Sequence, residues 1–334
     1  MIYAKLGSMV DTTHVPLLAD EASSKSQVTC CHRKVTRLKV IGIGVVCTLT
    51  VLFIMKACIS LRWTDRTCNF PSSSYETNIN RKRRLPQSII IGVRKAGTGA
   101  LRHFLDLHPD VITASKEPNF FSFRYENGFD WYKRLMPYSS EGQMTIEKSS
   151  NNFHNEQAPG RTYDFNSTIK LIVVVREPVE RAISDYTQRV INNRSRHNFE
   201  DAVFNHRTGE INRDYICIRP SLYHTNLKRW LKYFPLSQIH IVDGENMKRK
   251  PYDEIYKVEE FLGLSHQVRK EQFVFNATKG FFCFRTSSVV ECLRENKGRQ
   301  HIVISQDIKD RLKRHFQPLN ELFFKQIGQR FDWS

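Results

Sequence analysis

Apolar residues fall along the chain in short unbroken runs that alternate with longer stretches of mixed polarity. "SIIIGV" (88–93), "IKLIVVVR" (169–176) and "QIHIVDGE" (238–245) are dominated by β-branched residues. Runs with so little polar interruption suit strands covered on both faces, as in a parallel sheet. "TGALRHFLDL" (98–107), "PVERAISDYTQRV" (178–190), "SLYHTNLKRWLKYF" (221–234) and "PYDEIYKVEEFLGL" (251–264) read as helices. The last repeats apolar positions at intervals of three and four, and Pro251 suits its first turn. The alternation predicts one α/β domain over residues 85–334, a central parallel sheet flanked by helices. No internal repeat is visible.

An earlier apolar run differs in kind. "VIGIGVVCTLTVLFIMKACI" (40–59) is 20 residues long, enough to cross roughly 30 Å of hydrocarbon. Its one charge, Lys56, lies near the far end, where a long side chain can snorkel to the headgroups. Arg33, Lys34, Arg37 and Lys39 precede the run, whereas Arg62, Asp65 and Arg66 follow it. The positive-inside rule then makes 1–39 a cytosolic tail, 40–59 a transmembrane signal anchor, and the remainder lumenal or extracellular. A cleaved signal peptide is the competing reading, and the long polar lead of residues 1–39 argues against it. Residues 60–84 contain Pro71, a serine triplet and the basic run "RKRR" without hydrophobic period, which predicts a stem.

Charge narrows the choice of partner. The net charge of +17 points to a polyanion, and nucleic acid, an anionic membrane face and a sulfated glycan all fit that sign. A merely solvated basic surface fits it too. Of eight cysteines, Cys68, Cys217, Cys283 and Cys292 fall on the oxidising side of the predicted membrane. Cys283 and Cys292 enclose "FRTSSVVE", a loop short enough for one disulfide. No CxxC or Cys/His cluster suggests a metal, so none is expected. Sequons at Asn166, Asn193 and Asn276 accord with a secretory route.

Two stretches carry chemistry. In "IIIGVRKAGTGALRHFL" (89–105) a strand passes through a glycine turn into a helix, and Lys95 sits inside the turn. Backbone N–H groups at such a helix start bind phosphate. The Gly-Lys-Ser/Thr ending of the nucleotide-triphosphate loop is absent, which disfavours magnesium-dependent kinase chemistry. In "VVVREPVERAISDYTQ", Arg176 closes a strand, Pro178 opens a helix and Ser184 lies in its early turns, a second oxyanion cradle. Two cradles on one sheet edge call for a ligand with phosphates at two places.

"GVRKAGTGAL", "TIEKSSNNF", "VVREPVERAISDYTQ", "SLYHTNLKRWLKYFPLSQIHIVDGE" and "TKGFFCFR…ECLRENKGR" resemble, in collinear order, the heparan sulfate glucosamine 3-O-sulfotransferases. The resemblance implies a P-loop-like sulfotransferase fold. It further implies a Golgi membrane location, 3′-phosphoadenosine 5′-phosphosulfate (PAPS) as donor, and heparan sulfate rather than nucleic acid as partner. By resemblance Lys95, Ala96, Gly97, Thr98 and Gly99 hold the 5′-phosphosulfate, and Arg176 and Ser184 the 3′-phosphate. Phe282 and the segment Lys297, Gly298, Arg299, Gln300 and His301 add further donor contacts. Glu117 is the implied general base, with Lys95 and Lys148 stabilising charge on the moving sulfuryl group. Arg94, Asn119, Lys148, Ser149, Ser150, Asn151 and Gln188 are the implied acceptor contacts. Cys283 and Cys292 match the family's disulfide spacing.

The chain departs from that family's pattern at several positions. Asn119 and Ser122 stand where a His and an Asp are usual, Gly99 where an Arg is usual, Phe282 for a Tyr and Ser149 for a frequent Thr. These changes bear on efficiency and acceptor preference. They leave as alternatives a glycan sulfotransferase of other regiochemistry and a catalytically weak heparan-binding protein on the same fold.

Overall fold

Ile89, Ile90 and Ile91 are fully buried, and they form the middle of the sheet. The computed structural model describes residues 80–333 except 196, 206, 294–297 and 299. The expected tail, the membrane span, the stem up to residue 79, and Lys297 and Arg299 lie outside the described residues. Among the described residues no helix is long and apolar enough to cross a membrane.

Five parallel strands make the central sheet: β1 (Ser88–Gly92), β2 (Val111–Thr113), β3 (Met144–Lys148), β4 (Lys170–Val175) and β5 (Ile239–Asp243). Their order is β2-β3-β1-β4-β5. β1 is therefore central, with chain crossing away from it on both sides, and the carboxyl ends of β1, β3 and β4 open on one edge. Ligands of open α/β sheets bind at such a reversal of strand order. The expected strands at 88–93, 169–176 and 238–245 are β1, β4 and β5, trimmed by one, two and three residues.

Helices fill the crossovers. α1 (Thr98–Leu105) follows β1, and α2 (Phe120–Phe123) and α3 (Gly128–Arg134) lie between β2 and β3. α4 (Ala158–Phe165) precedes β4, and α5 (Pro178–Ile191) follows it. α6 (Tyr223–Trp230) leads to β5, after which come α7 (Gly244–Arg249) and α8 (Pro251–Leu262). The expected helix over 221–234 is shorter, because Arg219–Ser221 forms a 3-10 turn and the helix ends at Trp230. Past α8 the chain builds an antiparallel sheet from β6 (Phe273–Asn276), β7 (Phe281–Thr286) and β8 (Val289–Glu291). It closes with the long α9 (Gln306–Ile327). Ile308, Leu312 and Phe316 of α9 pack with Val179, Ala182 and Ile183 of α5 in a second core, apart from the one around the sheet.

The basic run assigned to the stem belongs partly to the domain. Lys82 and Arg83 pair antiparallel with Ser139 and Tyr138, and Arg83 and Arg84 donate to the carbonyls of Met136 and Ser139. The carbonyls of Met136 and Ser139 accept from those guanidinium groups, which ties this part of the expected stem to the domain. Of the sequon asparagines, Asn193 is exposed, whereas Asn166 and Asn276 are half-buried. Cys283 and Cys292 are disulfide-bonded, and Cys217 is a buried free thiol.

Candidate active site

The turn between β1 and α1 sets the first cradle. Val93 N–H donates to Val174 O (3.0 Å) and Ala96 N–H to Val93 O (3.0 Å). Gly97, at φ 115°, caps α1 without a side chain. A Cβ there would strain the backbone and stand 2.8 Å from the Met247 methyl. The loop is clamped from beneath at Gly244, whose added Cβ would meet Ala96 O at 2.5 Å and Val175 O at 2.6 Å. Arg181, fully buried on α5, locks the same loop. Its Nη1 donates to Arg94 O (3.1 Å) and Asp185 (3.1 Å), its Nε to Ser221 Oγ (2.6 Å), and its Nη2 to Cys217 O.

The second cradle forms where β4 meets α5. Glu177 caps α5 by accepting from the N–H groups of Val179 (3.0 Å) and Glu180 (2.6 Å), and Pro178 takes the first helical position. Arg176 is held by Tyr223, whose hydroxyl donates to its carbonyl (2.7 Å). Its Nε donates to Glu245 Oε1 at 2.7 Å, so this bond uses none of the terminal nitrogens. Both cradles open on one cleft of about 660 Å³, lined by the loop 94–100 and by Arg176 and Ser184.

Across the cleft, Lys148 at the end of β3 is paired with Glu117. Glu117 Oε2 accepts from Ser150 N–H (3.2 Å) and Oγ (2.8 Å). Burial pushes the Glu117 carboxyl up, but the Lys148 charge and the hydrogen bonds of Lys148 and Ser150 outweigh it and leave the pKa below its ordinary value. Further along, Arg94 is bound to Asp185 (2.8 Å) on the cleft rim. Burial, then the charges of Arg94, Arg219, Arg181 and Arg229, push the pKa of the buried His154 down to about 3.

Most of the expected site residues meet here. Arg94, Lys95, Ala96, Gly97, Thr98, Gly99, Glu117, Lys148, Ser150, Asn151, Arg176, Ser184, Gln188, Phe282, Gly298 and His301 all line the cleft. Three do not. Ser149 is fully buried and spends its hydroxyl on Glu147 (2.9 Å) while accepting from Asn119 N–H (2.8 Å). Asn119 stands outside the lining and touches two lining residues: its Oδ1 accepts from Asn151 Nδ2 (3.0 Å) and its Nδ2 donates to Glu117 O (3.5 Å). Gln300 is exposed and stands outside the lining. Sequence reasoning missed Glu147, Arg181, Asp185 and Glu245, and the basic rim residues Arg189, Arg194, Lys248 and Lys279. The one local signal was the four-residue spacing of Arg181 and Asp185, which form an ion pair (3.1 Å).

Comparison with known proteins agrees with this geometry. The sulfotransferase domain family model matches residues 85–331. Heparan sulfate glucosamine 3-O-sulfotransferase 5 of Mus musculus is 43% identical over 256 residues, covering 75% of this chain and 74% of the relative. The human 3-O-sulfotransferases 6 and 3B1 are 42% and 41% identical, covering 76% and 79% of this chain and 75% and 68% of the relatives. Among solved structures, a sulfotransferase from Alicyclobacillus acidocaldarius shares the fold, with TM-score 0.58 and 21% identity, over 74% of this chain and 98% of that one. The chain belongs to the sulfotransferase family, in the group of the heparan sulfate glucosamine 3-O-sulfotransferases.

Proposed function

We propose that the chain transfers a sulfuryl group from PAPS to the 3-hydroxyl of glucosamine in heparan sulfate. The observation that carries this reading is the Glu117–Lys148 pair, set in one cleft with two anion cradles. The residues fit such a donor, because the Cβ-free turn at Gly97 opens backbone toward an anion and Arg176 and Ser184 wait at a second position. When bound, the donor supplies an activated sulfuryl group with a phosphate as its leaving group.

The chain's own residues divide the remaining work. Lys95 to Gly99 hold the 5′ end of the donor, and Arg176 and Ser184 hold the 3′ end, with Phe282, Gly298 and His301 closing the far wall. Glu117 takes the proton of the acceptor hydroxyl. In the free protein its carboxyl is held low by Lys148. As Lys148 turns toward the sulfuryl oxygens, Glu117 loses that charge partner and burial then raises its basicity, at the moment a base is needed. Lys148 and Lys95 stabilise negative charge on the transferring group.

The span at 40–59 with its positive N-terminal flank supports a single-pass Golgi membrane protein with a lumenal catalytic domain. The Cys283–Cys292 bond supports an oxidising compartment, where Asn166, Asn193 and Asn276 are candidate glycosylation positions. The test is incubation of the purified chain with labelled donor and heparan sulfate, followed by disaccharide analysis. Label on the 3-hydroxyl of glucosamine is expected, with Glu117→Gln slower by about 10²-fold or more and product-nucleotide affinity unchanged. Heparan binding without any incorporation would instead favour the binding-protein alternative.

A further inference from the structure

Behind the Glu117–Lys148 pair lies a second carboxyl that the transfer reaction leaves unassigned. Glu147 precedes Lys148 in β3 and is fully buried. Its Oε2 accepts from Ser149 Oγ at 2.9 Å. Its Oε1 and the hydroxyl of Tyr132 on α3 are both sealed from water, neither meets another partner, and the two groups interact. No cation among the described residues is bonded to it, because the neighbouring Lys148 ammonium is committed to Glu117. The titratable groups facing it are Tyr132 of α3, Lys148 of its own strand and Glu117 of the loop before α2. β1 brings only Ile89 to its register position.

A carboxylate sealed from water with only hydroxyl groups around it and no paired cation is costly, and such a group keeps its proton instead. Burial pushes Glu147 up to about 8, against the hydrogen bonds of Ser149 and Tyr132. The neutral acid is mechanically tied to the base. Ser149, anchored on Glu147, accepts the N–H of Asn119 at 2.8 Å. Asn119 sits two residues after Glu117 in the left-handed region, at φ 49°. That conformation is uncommon for a residue with a side chain and persists where its surroundings hold it.

We propose that Glu147 acts as a neutral carboxylic acid that positions the loop bearing Glu117, through Ser149 and the backbone of Asn119. It touches neither donor nor acceptor and is a positioning residue for the transfer reaction, on which reading the kinetic part of this proposal rests. When Glu147 ionises, a second negative charge appears beside Lys148 and Glu117. Lys148 is then drawn away from Glu117, and turnover falls on the alkaline side.

Three measurements on the full chain test this. Glu147→Gln keeps the shape and hydrogen-bonding capacity of the neutral acid, so turnover at pH 7 should stay within about threefold of wild type. The alkaline fall near pH 8 expected of wild type should be missing from its profile. Ser149→Ala should lose about tenfold or more in turnover while still binding 3′-phosphoadenosine 5′-phosphate normally, since only the loop's placement is disturbed. Infrared difference spectra should show a protonated-carboxyl band in wild type at pH 7 that is absent from Glu147→Gln and fades as pH rises through about 8. A folded Glu147→Gln protein slower than wild type by about tenfold at pH 7, or retaining the alkaline fall, overturns the proposal. So does an unaffected Ser149→Ala enzyme or the absence of the infrared band. If wild type transfers no sulfuryl group at all, the transfer reading has failed, and the band alone still decides whether Glu147 is neutral.

Discussion

Glu117 sits between burial, which favours its proton, and Lys148, which favours its charge; in the free protein the lysine and its hydrogen-bonding neighbours prevail. Lys148→Ala therefore has two separable consequences. Turnover should fall more than acceptor binding, because the ammonium matters most as charge builds on the sulfuryl group. The acid limb of the kcat/KM profile, which reports the free enzyme, should move to higher pH, because burial is then unopposed by the lysine. Steady-state kinetics across pH measure both, and an unmoved acid limb would detach Lys148 from the ionisation of Glu117. At this scale the sequence was informative where function follows chain order. Lys95, Glu117 and Lys148 stand in contiguous motifs and all reach the cleft. In the polar run Ser149-Ser150-Asn151, nothing in composition tells which side chains face outward. Ser150 and Asn151 line the cleft while Ser149 turns to Glu147. Arg94, in the loop after β1, and Asp185, on α5 after β4, meet at 2.8 Å across 91 residues of sequence, and that pairing leaves no local trace.

β1, β4 and β5 were legible because burial on both faces forces them into unbroken apolar runs, whereas the three-residue β2 and the mixed-polarity β3 present no such run and were not expected. β6, β7 and β8 escaped notice because they are partly exposed and so lack an unbroken apolar run; every residue of β8 is solvent-facing. α9 carries a readable stripe at Ile308, Leu312 and Phe316, then interrupts it with Pro318 inside the helix. The small sheet matters because it presents Phe281 and Phe282 to the cleft, and the Cys283–Cys292 bond ties β7 to the chain just past β8. Cys283→Ser with Cys292→Ser should cost about 2–4 kcal/mol of stability. The same double substitution should weaken binding of 3′-phosphoadenosine 5′-phosphate more than binding of the acceptor, because the wall it loosens lies on the proposed donor side. Thermal unfolding and calorimetric titration report the two effects. Unchanged nucleotide affinity in a destabilised protein would separate that sheet from the donor site.

At the scale of the whole molecule, the net charge of +17 is shared by the cleft, where it can act on an anion. Among the described residues, eight lysines and arginines and three carboxylates line the cleft. Each carboxylate is already paired, Glu117 with Lys148, Asp185 with Arg94, and Glu245 with Arg176. Arg189, Arg194, Lys248 and Lys279 stand outside those pairs on the cleft wall. Burial first, and then the charges of Arg94, Arg219, Arg181 and Arg229, keep the nearby His154 neutral. A sulfated glycan laid across this edge would displace its own condensed counterions, as any linear polyanion does, so binding must weaken as bulk salt rises. With about four contacts, affinity for heparan sulfate should fall by about 10- to 10²-fold between 50 and 200 mM salt, scaling as for a single-stranded polyanion. Arg194→Ala with Lys279→Ala should flatten that dependence without altering turnover at saturating acceptor, since neither residue is placed at the reacting atoms. Titrations at several salt concentrations measure the slope directly. An affinity indifferent to salt would mean that hydrogen bonding and shape, rather than this basic rim, hold the acceptor.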